Sequence, residues 1–249
     1  MSVTRALAGR LSPDARRRVR RATDGLLAPV GSVRGARTDE PVLALTYDDG
    51  PVPGDTEAVL AALAEAGVRA TFFVLVNRAE AHPELIRRMI GAGHEVALHG
   101  IDHSRLTELP LPEVRRLLAD GKARLERLTG QPIRLFRPAY GSQTVRTYLA
   151  ARRTGLDVVV WGPTTEDWRD GPADVVAGRA LAGAAPGEIM LLHDGFEVPP
   201  GDQTPRPTFD RGEVTRALLA GLRDHGYAAT SVGTLLAGRR TWRTAWYRP

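Results

Sequence analysis

Val42-Leu43-Ala44-Leu45-Thr46-Tyr47-Asp48-Asp49-Gly50-Pro51 carries an apolar run straight into two adjacent carboxylates and a turn. The run Val42–Leu45 reads as a strand buried on both faces, the kind found in a parallel sheet covered by helices. Gly50 and Pro51 stop it. Ionised carboxylates at the end of a buried strand are costly unless a cation or hydrogen-bond donors compensate them. Taken alone, Asp48-Asp49-Gly50-Pro51 also reads as a solvated turn. Three histidines favour the first reading: His99 and His103 follow a second strand, and His193 ends a third.

From residue 42 the pattern alternates. Strands are expected at 42–47, 70–76, 95–99, 134–137, 157–162, 188–193 and 228–231, and helices at 55–66, 83–92, 112–128, 144–154, 173–183 and 212–225. Pro83 and Pro112 open two of the helices, and glycines follow their ends. Strands alternating with helices imply an α/β fold with a mainly parallel sheet. Barrels of this kind place their active sites at the C-terminal ends of the strands. Asp48 and Asp49, His99, Arg137 to Tyr140, Asp167 and Trp168, and His193 all fall at or just after such ends.

The chain has 249 residues, 43% hydrophobic and 25% charged, which suits one large globular α/β domain. It has no cysteine, so disulfides, thiolate ligands and a Cys nucleophile are excluded. The charge of +5 is uneven. Residues 1–37 hold nine Arg against Asp14 and Asp24, or +7; residues 238–249 hold four Arg and no acid, or +4; the difference leaves 38–237 at −6. Three parts are expected: a basic appendage (1–37), a catalytic domain (38–237) and a basic aromatic tail (238–249). An acidic body is a poor nucleic-acid surface. The start of the chain has no apolar core of a secretory signal, and no apolar run nears the ~20 residues of a membrane span. A cytoplasmic protein is expected, with peripheral membrane contact through its basic ends as the further reading. The tail also reads as packing back on the body through cation–π contacts. The stretch Gly195 to Asp210, rich in Pro and Gly, has the length of a functional lid.

His99-Gly100-Ile101-Asp102-His103 sets two imidazoles four apart, a spacing that a helical turn brings to one face. Two imidazoles and a carboxylate make three protein ligands for zinc with a position left open, and Asp49 is the natural third. A catalytic zinc lowers its water's pKa to ~7 and polarises a carbonyl. Amide hydrolysis also needs a base, an oxyanion donor and an acid for the leaving nitrogen. Asp48 can be the base, a backbone N–H near Tyr140 the donor, and His193 the acid.

On these residues the chain resembles the polysaccharide deacetylases (NodB-homology domain, carbohydrate esterase family 4) from about Val42 to Leu236. The matching motifs are Thr46-Tyr47-Asp48-Asp49-Gly50-Pro51, the pair His99 and His103, Arg137-Pro138-Ala139-Tyr140-Gly141, and Leu191-Leu192-His193-Asp194. The resemblance implies a distorted (β/α) barrel, often of seven parallel strands, and a metal-dependent hydrolase that removes the N-acetyl group from an N-acetylhexosamine. It implies Asp48 as base, Asp49, His99 and His103 on Zn²⁺ or another divalent metal such as Co²⁺, Ni²⁺ or Mn²⁺, and Arg137 holding Asp48. Tyr140 would face the oxyanion, His193 would be the acid, and Leu191 and Trp168 would wall the acetyl pocket. The partner implied is an N-acetylated carbohydrate; oligomeric state is not implied. One motif departs: Thr164-Thr165-Glu166-Asp167-Trp168 has Thr164 at a position where relatives carry an aspartate expected to orient the acid histidine. His193 is then expected to be held by Glu166, Asp167 or another group. Three other readings stand beside the deacetylase: a two-His-one-carboxylate iron oxygenase, hydrolysis of another non-peptide C–N bond, and a non-catalytic carbohydrate-binding or membrane-docking barrel.

Overall fold

The computed structural model describes residues 31–198 and 205–248. Seven strands form one parallel sheet: β2 (Val42–Asp48), β3 (Thr71–Leu75), β4 (Glu95–Gly100), β5 (Leu135–Phe136), β6 (Asp157–Val158), β7 (Ile189–His193) and β8 (Ala228–Thr230). Their order is β6-β5-β4-β3-β2-β7, with β8 paired to the start of β2. Between them run α1 (Asp55–Glu65), α2 (Val76–Ala81), α3 (Pro83–Gly91), α4 (Leu111–Thr129), α5 (Val145–Arg153), α6 (Ala173–Leu181) and α7 (Arg211–Asp224). A short α8 (Val232–Leu236) follows β8.

The sheet curls into a distorted barrel because the chain after β6 changes partners. Val159 N–H still bonds to Phe136 of β5, Val160 then bonds to Val33, and Gly162 and Thr165 bond to Ile189 and Leu191 of β7. The strand expected at 157–162 is therefore only two residues long, and its continuation bridges the gap between the two edges.

Strand period sorts the side chains. Leu43, Leu45 and Tyr47 of β2 face the helices in the main core with Phe72, Val74, Met190 and Leu192. Ala44 faces the barrel interior with Phe73, Ala97, Leu135, Val159 and Ile189. The interior parity runs on through Thr46 and Asp48 of β2, His99 after Ala97, Arg137 after Leu135, and Leu191 and His193 after Ile189. Alternation thus places the polar residues inside the barrel at its C-terminal end.

The other end is plugged. Strand β1 (Ser32–Arg37) pairs antiparallel with β9 (Arg240–Thr244). Val33 and Ala36 join Val232 and Leu235 of α8 in the interior cluster. Residues 32–37 and 240–248, set apart by sequence as parts of two basic ends, lie against the body, with Trp242 and Trp246 buried. Arg34 stacks on Trp242 and Arg248 on Trp246, so these cations shield aromatic rings. The rest of the basic start, residues 1–30, and part of the expected lid, 199–204, lie outside the described residues. Among the described residues no helix is long and apolar enough to cross a membrane.

Candidate active site

The strand ends open into a cleft of roughly 340 Å³, the size of a small-molecule site. Asp48, Asp49, His99, His103, Tyr140, Trp168, Leu191 and His193 all line it. Arg137 lies behind them, fully buried.

Adjacent residues of a strand point to opposite faces, so Asp48 and Asp49 cannot both face the cleft from regular backbone. Asp49 takes φ 74°, a left-handed conformation rare for a side-chain-bearing residue. That turn brings the second carboxylate round beside the first. Arg78, from α2, donates to the Asp49 carbonyl at 2.8 Å.

His99 and His103 do not share a helical turn, as their spacing suggested. His99 is the fifth residue of β4, and His103 stands in the bend after it. Gly100, at φ 146°, makes the bend; a Cβ there would sit 2.6 Å from the Asp102 carbonyl oxygen. The two imidazole rings end 5.2 Å apart. Each Nε2 lies 3.2 Å from Asp49 Oδ1. The His99 Nδ1–H donates to the Arg137 carbonyl at 2.8 Å, so in the neutral ring the Nε2 lone pair faces Asp49.

With both imidazoles neutral, three electron-pair donors converge on one point. Asp49 Oδ1 is buried without a hydrogen-bond donor. Burial pushes its carboxyl up, but the adjacent His99, with the charge of His193, outweighs this and holds it well below the usual range. Burial keeps His103 neutral, at about 4. Ligand atoms of Asp49, His99 and His103 all lie within 4.8 Å of one another. Ligands ~2.0–2.1 Å from one tetrahedral ion stand ~3.3 Å apart, which the two 3.2 Å separations match. The residues fit a divalent metal.

On one side of these ligands stands Asp48. Arg137 Nη1 donates to its Oδ1 at 2.6 Å and to Thr46 Oγ1 at 2.8 Å. The guanidinium rests on the Phe73 ring, 4.1 Å from its centroid. Asp48 Oδ2 is left facing the ligand set, 3.9 Å from His99 Nε2.

On the other side stands His193. Its Nδ1 meets Asp167 Oδ1 at 2.7 Å, and its backbone N–H donates to Asp167 Oδ2 at 2.8 Å. Of the groups expected to hold His193, the structure selects Asp167. Thr164 takes no part; its Oγ1 accepts from Glu166 N–H, and Glu166 pairs with Arg169. Burial lowers the His193 pKa, but the Asp167 charge and hydrogen bond outweigh it and raise the imidazole to about 9. The Nε2 edge is free to serve the cleft. Trp168 meets the His193 ring edge-on at 5.8 Å.

Sequence reading missed several residues here. Arg211, which opens α7, donates to the His193 carbonyl at 2.8 Å and to Asp167 Oδ2 at 3.2 Å. Asp194 accepts from Gly50 N–H at 3.1 Å and Thr56 Oγ1 at 2.7 Å, tying the ends of β2 and β7 together; burial pushes its carboxyl up to about 7. Trp161 lines the cleft with Phe196 and Val198. Tyr47 lies fully in the core, stacked on Phe72, with its hydroxyl on Thr215. No motif marks Arg78, Arg211 or Trp161. His82, His94 and His225 stand at helix or strand ends and do not line the cleft.

The family model described as polysaccharide deacetylase matches residues 35–159. A chitooligosaccharide deacetylase of Sinorhizobium fredii is 34% identical over 199 residues, covering 78% of this chain and 92% of its own. The peptidoglycan-N-acetylglucosamine deacetylase PgdA of Listeria monocytogenes is 38% identical over 66% of this chain, which spans only 34% of that protein's length. The solved structure of peptidoglycan deacetylase PdaC from Bacillus subtilis superposes with a TM-score of 0.67 at 30% identity, covering 79% of this chain and 90% of that one. With its motifs assembled around one cleft and relatives matched over most of its length, this chain belongs to the polysaccharide deacetylase family.

Proposed function

We propose that this protein is a metal-dependent hydrolase that removes the N-acetyl group from an N-acetylhexosamine unit of a glycan or glycoconjugate, releasing acetate. One observation carries the reading: a three-donor ligand set stands between an arginine-held carboxylate and a carboxylate-held histidine in one cleft.

Asp49, His99 and His103 would hold the metal, with zinc the best match to their nitrogen and oxygen donors. Bound there, a divalent ion supplies Lewis-acid polarisation of a carbonyl and lowers the pKa of a water. Asp48 takes the proton of the attacking water. Its ion pair with Arg137 keeps it oriented as that proton moves. The main-chain N–H of Tyr140 stabilises the negative charge that develops on the amide oxygen. His193, charged by virtue of Asp167, gives its Nε2 proton to the departing sugar nitrogen. Leu191, Trp161 and Trp168 form an apolar wall suited to the acetyl methyl, and such a wall rejects longer acyl chains by ~1–3 kcal/mol per methylene.

The test is acetate release from a panel of N-acetylated sugars and oligomers, with chelation and metal add-back. Chelation abolishes release and add-back restores it. Asp48→Asn abolishes turnover and keeps metal binding, whereas His99→Ala loses both. Full activity in Asp48→Asn overturns the base assignment.

A further inference from the structure

We propose that the end of the tail, Trp246 to Arg248, is a positioning element of the active site that fixes the turn carrying the Tyr140 N–H. The inference rests on the deacetylase reading above.

Trp246 is only 5% exposed, so its ring is not available to stack on a sugar or lie in a membrane interface. It is built into the turn after β5 instead. Its Nε1–H donates to the Gly141 carbonyl at 2.9 Å. Its ring lies 5.0 Å from that of Trp161, which lines the cleft. Gln143 Nε2 donates to the Trp246 carbonyl at 2.5 Å. The backbones of Gln143 and Arg248 exchange two further hydrogen bonds, of 2.6 and 2.9 Å. Four hydrogen bonds thus lace residues 141–143 to residues 246–248.

The turn needs such support. Tyr140 and Gly141 both sit at positive φ, 58° and 64°. For Tyr140 this conformation is strained, and strained backbone persists only where its surroundings over-determine it. Gly141 has no room for a side chain, since a Cβ would lie 2.6 Å from the Trp161 ring. The direction of the Tyr140 N–H follows from peptide planarity. The Ala139 carbonyl accepts from Ser142 N–H at 3.0 Å, inside the turn. In a trans peptide the N–H points opposite to the C=O, so the Tyr140 N–H points out of the turn. A shift of the Gly141 carbonyl would swing Ser142 and, with it, that peptide plane. Trp246 makes its hydrogen bonds and ring contacts with Gly141, Gln143, Trp161 and Arg248, none of which is a metal ligand.

The experiment compares wild type with Trp246→Phe, which keeps an aromatic ring and removes the N–H donor. The substrate is a soluble N-acetylglucosamine oligomer; kcat, KM, zinc affinity and urea unfolding are measured on each purified protein. The expected result is a kcat lower by about tenfold, the scale of one lost hydrogen bond at a positioned group. KM stays within about twofold, zinc affinity is unchanged and unfolding remains cooperative. Wild-type kcat in folded Trp246→Phe overturns the inference and leaves the deacetylase reading intact. A kcat that falls only in step with zinc affinity or with the folded fraction also overturns it. If wild type releases no acetate, the deacetylase reading fails and takes the inference with it. Should Trp246→Phe not fold, Gln143→Glu removes the donor to the Trp246 carbonyl and is judged by the same readings.

Discussion

Arg78 shows how far a site reaches beyond the residues that touch substrate. Its guanidinium donates to the Asp49 carbonyl, contacts the Phe196 carbonyl and pairs with Glu197. It therefore pins the left-handed residue that offers the carboxylate of the candidate ligand set to the loop that lines the cleft. Removing an outer partner of a metal ligand costs 10–100-fold in affinity or activity as a rule. Arg78→Met is expected to weaken zinc binding about tenfold with little change in unfolding, as read by calorimetric titration; unchanged affinity would show the contact to be incidental. Asp167 is the second case. Its carboxylate is the main influence raising His193 against burial. With Asp167→Asn that influence goes, the imidazolium loses its proton at lower pH, and the alkaline limb of kcat/KM moves down in pH. Because a positioned acid contributes about 10²–10⁴-fold, kcat falls as well. An alkaline limb that stays in place would assign the ionisation to another group.

At the scale of elements, the junction between β4 and the bend after it sets the geometry of the candidate metal site. β4 delivers His99 to the barrel interior by strand parity, and Gly100 then reverses the chain so that His103 returns to the same point. Gly100→Ala would press a methyl against the Asp102 carbonyl in a conformation that L-residues avoid. The variant is expected to fold, because the bend lies at the rim, but to bind zinc at least tenfold more weakly. Equilibrium dialysis against zinc, with circular dichroism to confirm the fold, checks this; wild-type affinity would mean that the bend has slack. α2 works in the same way on the opposite wall. It follows β3 without a linker, so Arg78 is held one turn beyond the strand end.

Over the whole molecule, the barrel is plugged at one end by β1, β9 and α8 and open at the other, and its buried titratable groups couple stability to pH. His94 is buried, accepts a hydrogen bond from Ala70 N–H, and is lowered by burial to about 4. His103 is lowered to about 4 too, and Asp49 lies well below its ordinary value. For these three groups the unfolded chain takes up protons first, so stability is lost as pH falls from about 6.5 toward 4 and below. His193 and His99 are raised. Their contribution is complete below the ordinary histidine value of about 6.5 and is lost as pH rises, by about 9 for His193. The metal-free protein is expected to be most stable near pH 6.5. Urea unfolding of chelator-treated protein at acid, near-neutral and alkaline pH measures this, and a monotonic trend would contradict it. His94→Gln, which keeps an acceptor for Ala70 N–H, should flatten the acid side alone.

The strand–helix alternation, the parallel sheet and the sites of Asp48, Asp49, His99, His103, Arg137 and His193 were legible in the sequence, because hydrophobic period and turn residues are local signals and the strand ends follow from them. Three things were not. That Asp167 rather than Thr164 serves His193 depends on where β7 passes the loop after β6. That the two histidines meet through a glycine bend depends on a dihedral that spacing does not encode. That the aromatic end of the tail braces the turn at Tyr140 depends on contacts between residues about a hundred positions apart. Local pattern fixes which face a side chain takes on its own strand; only closure of the barrel brings those faces to one point, since the energy that selects the arrangement comes from contacts between distant segments.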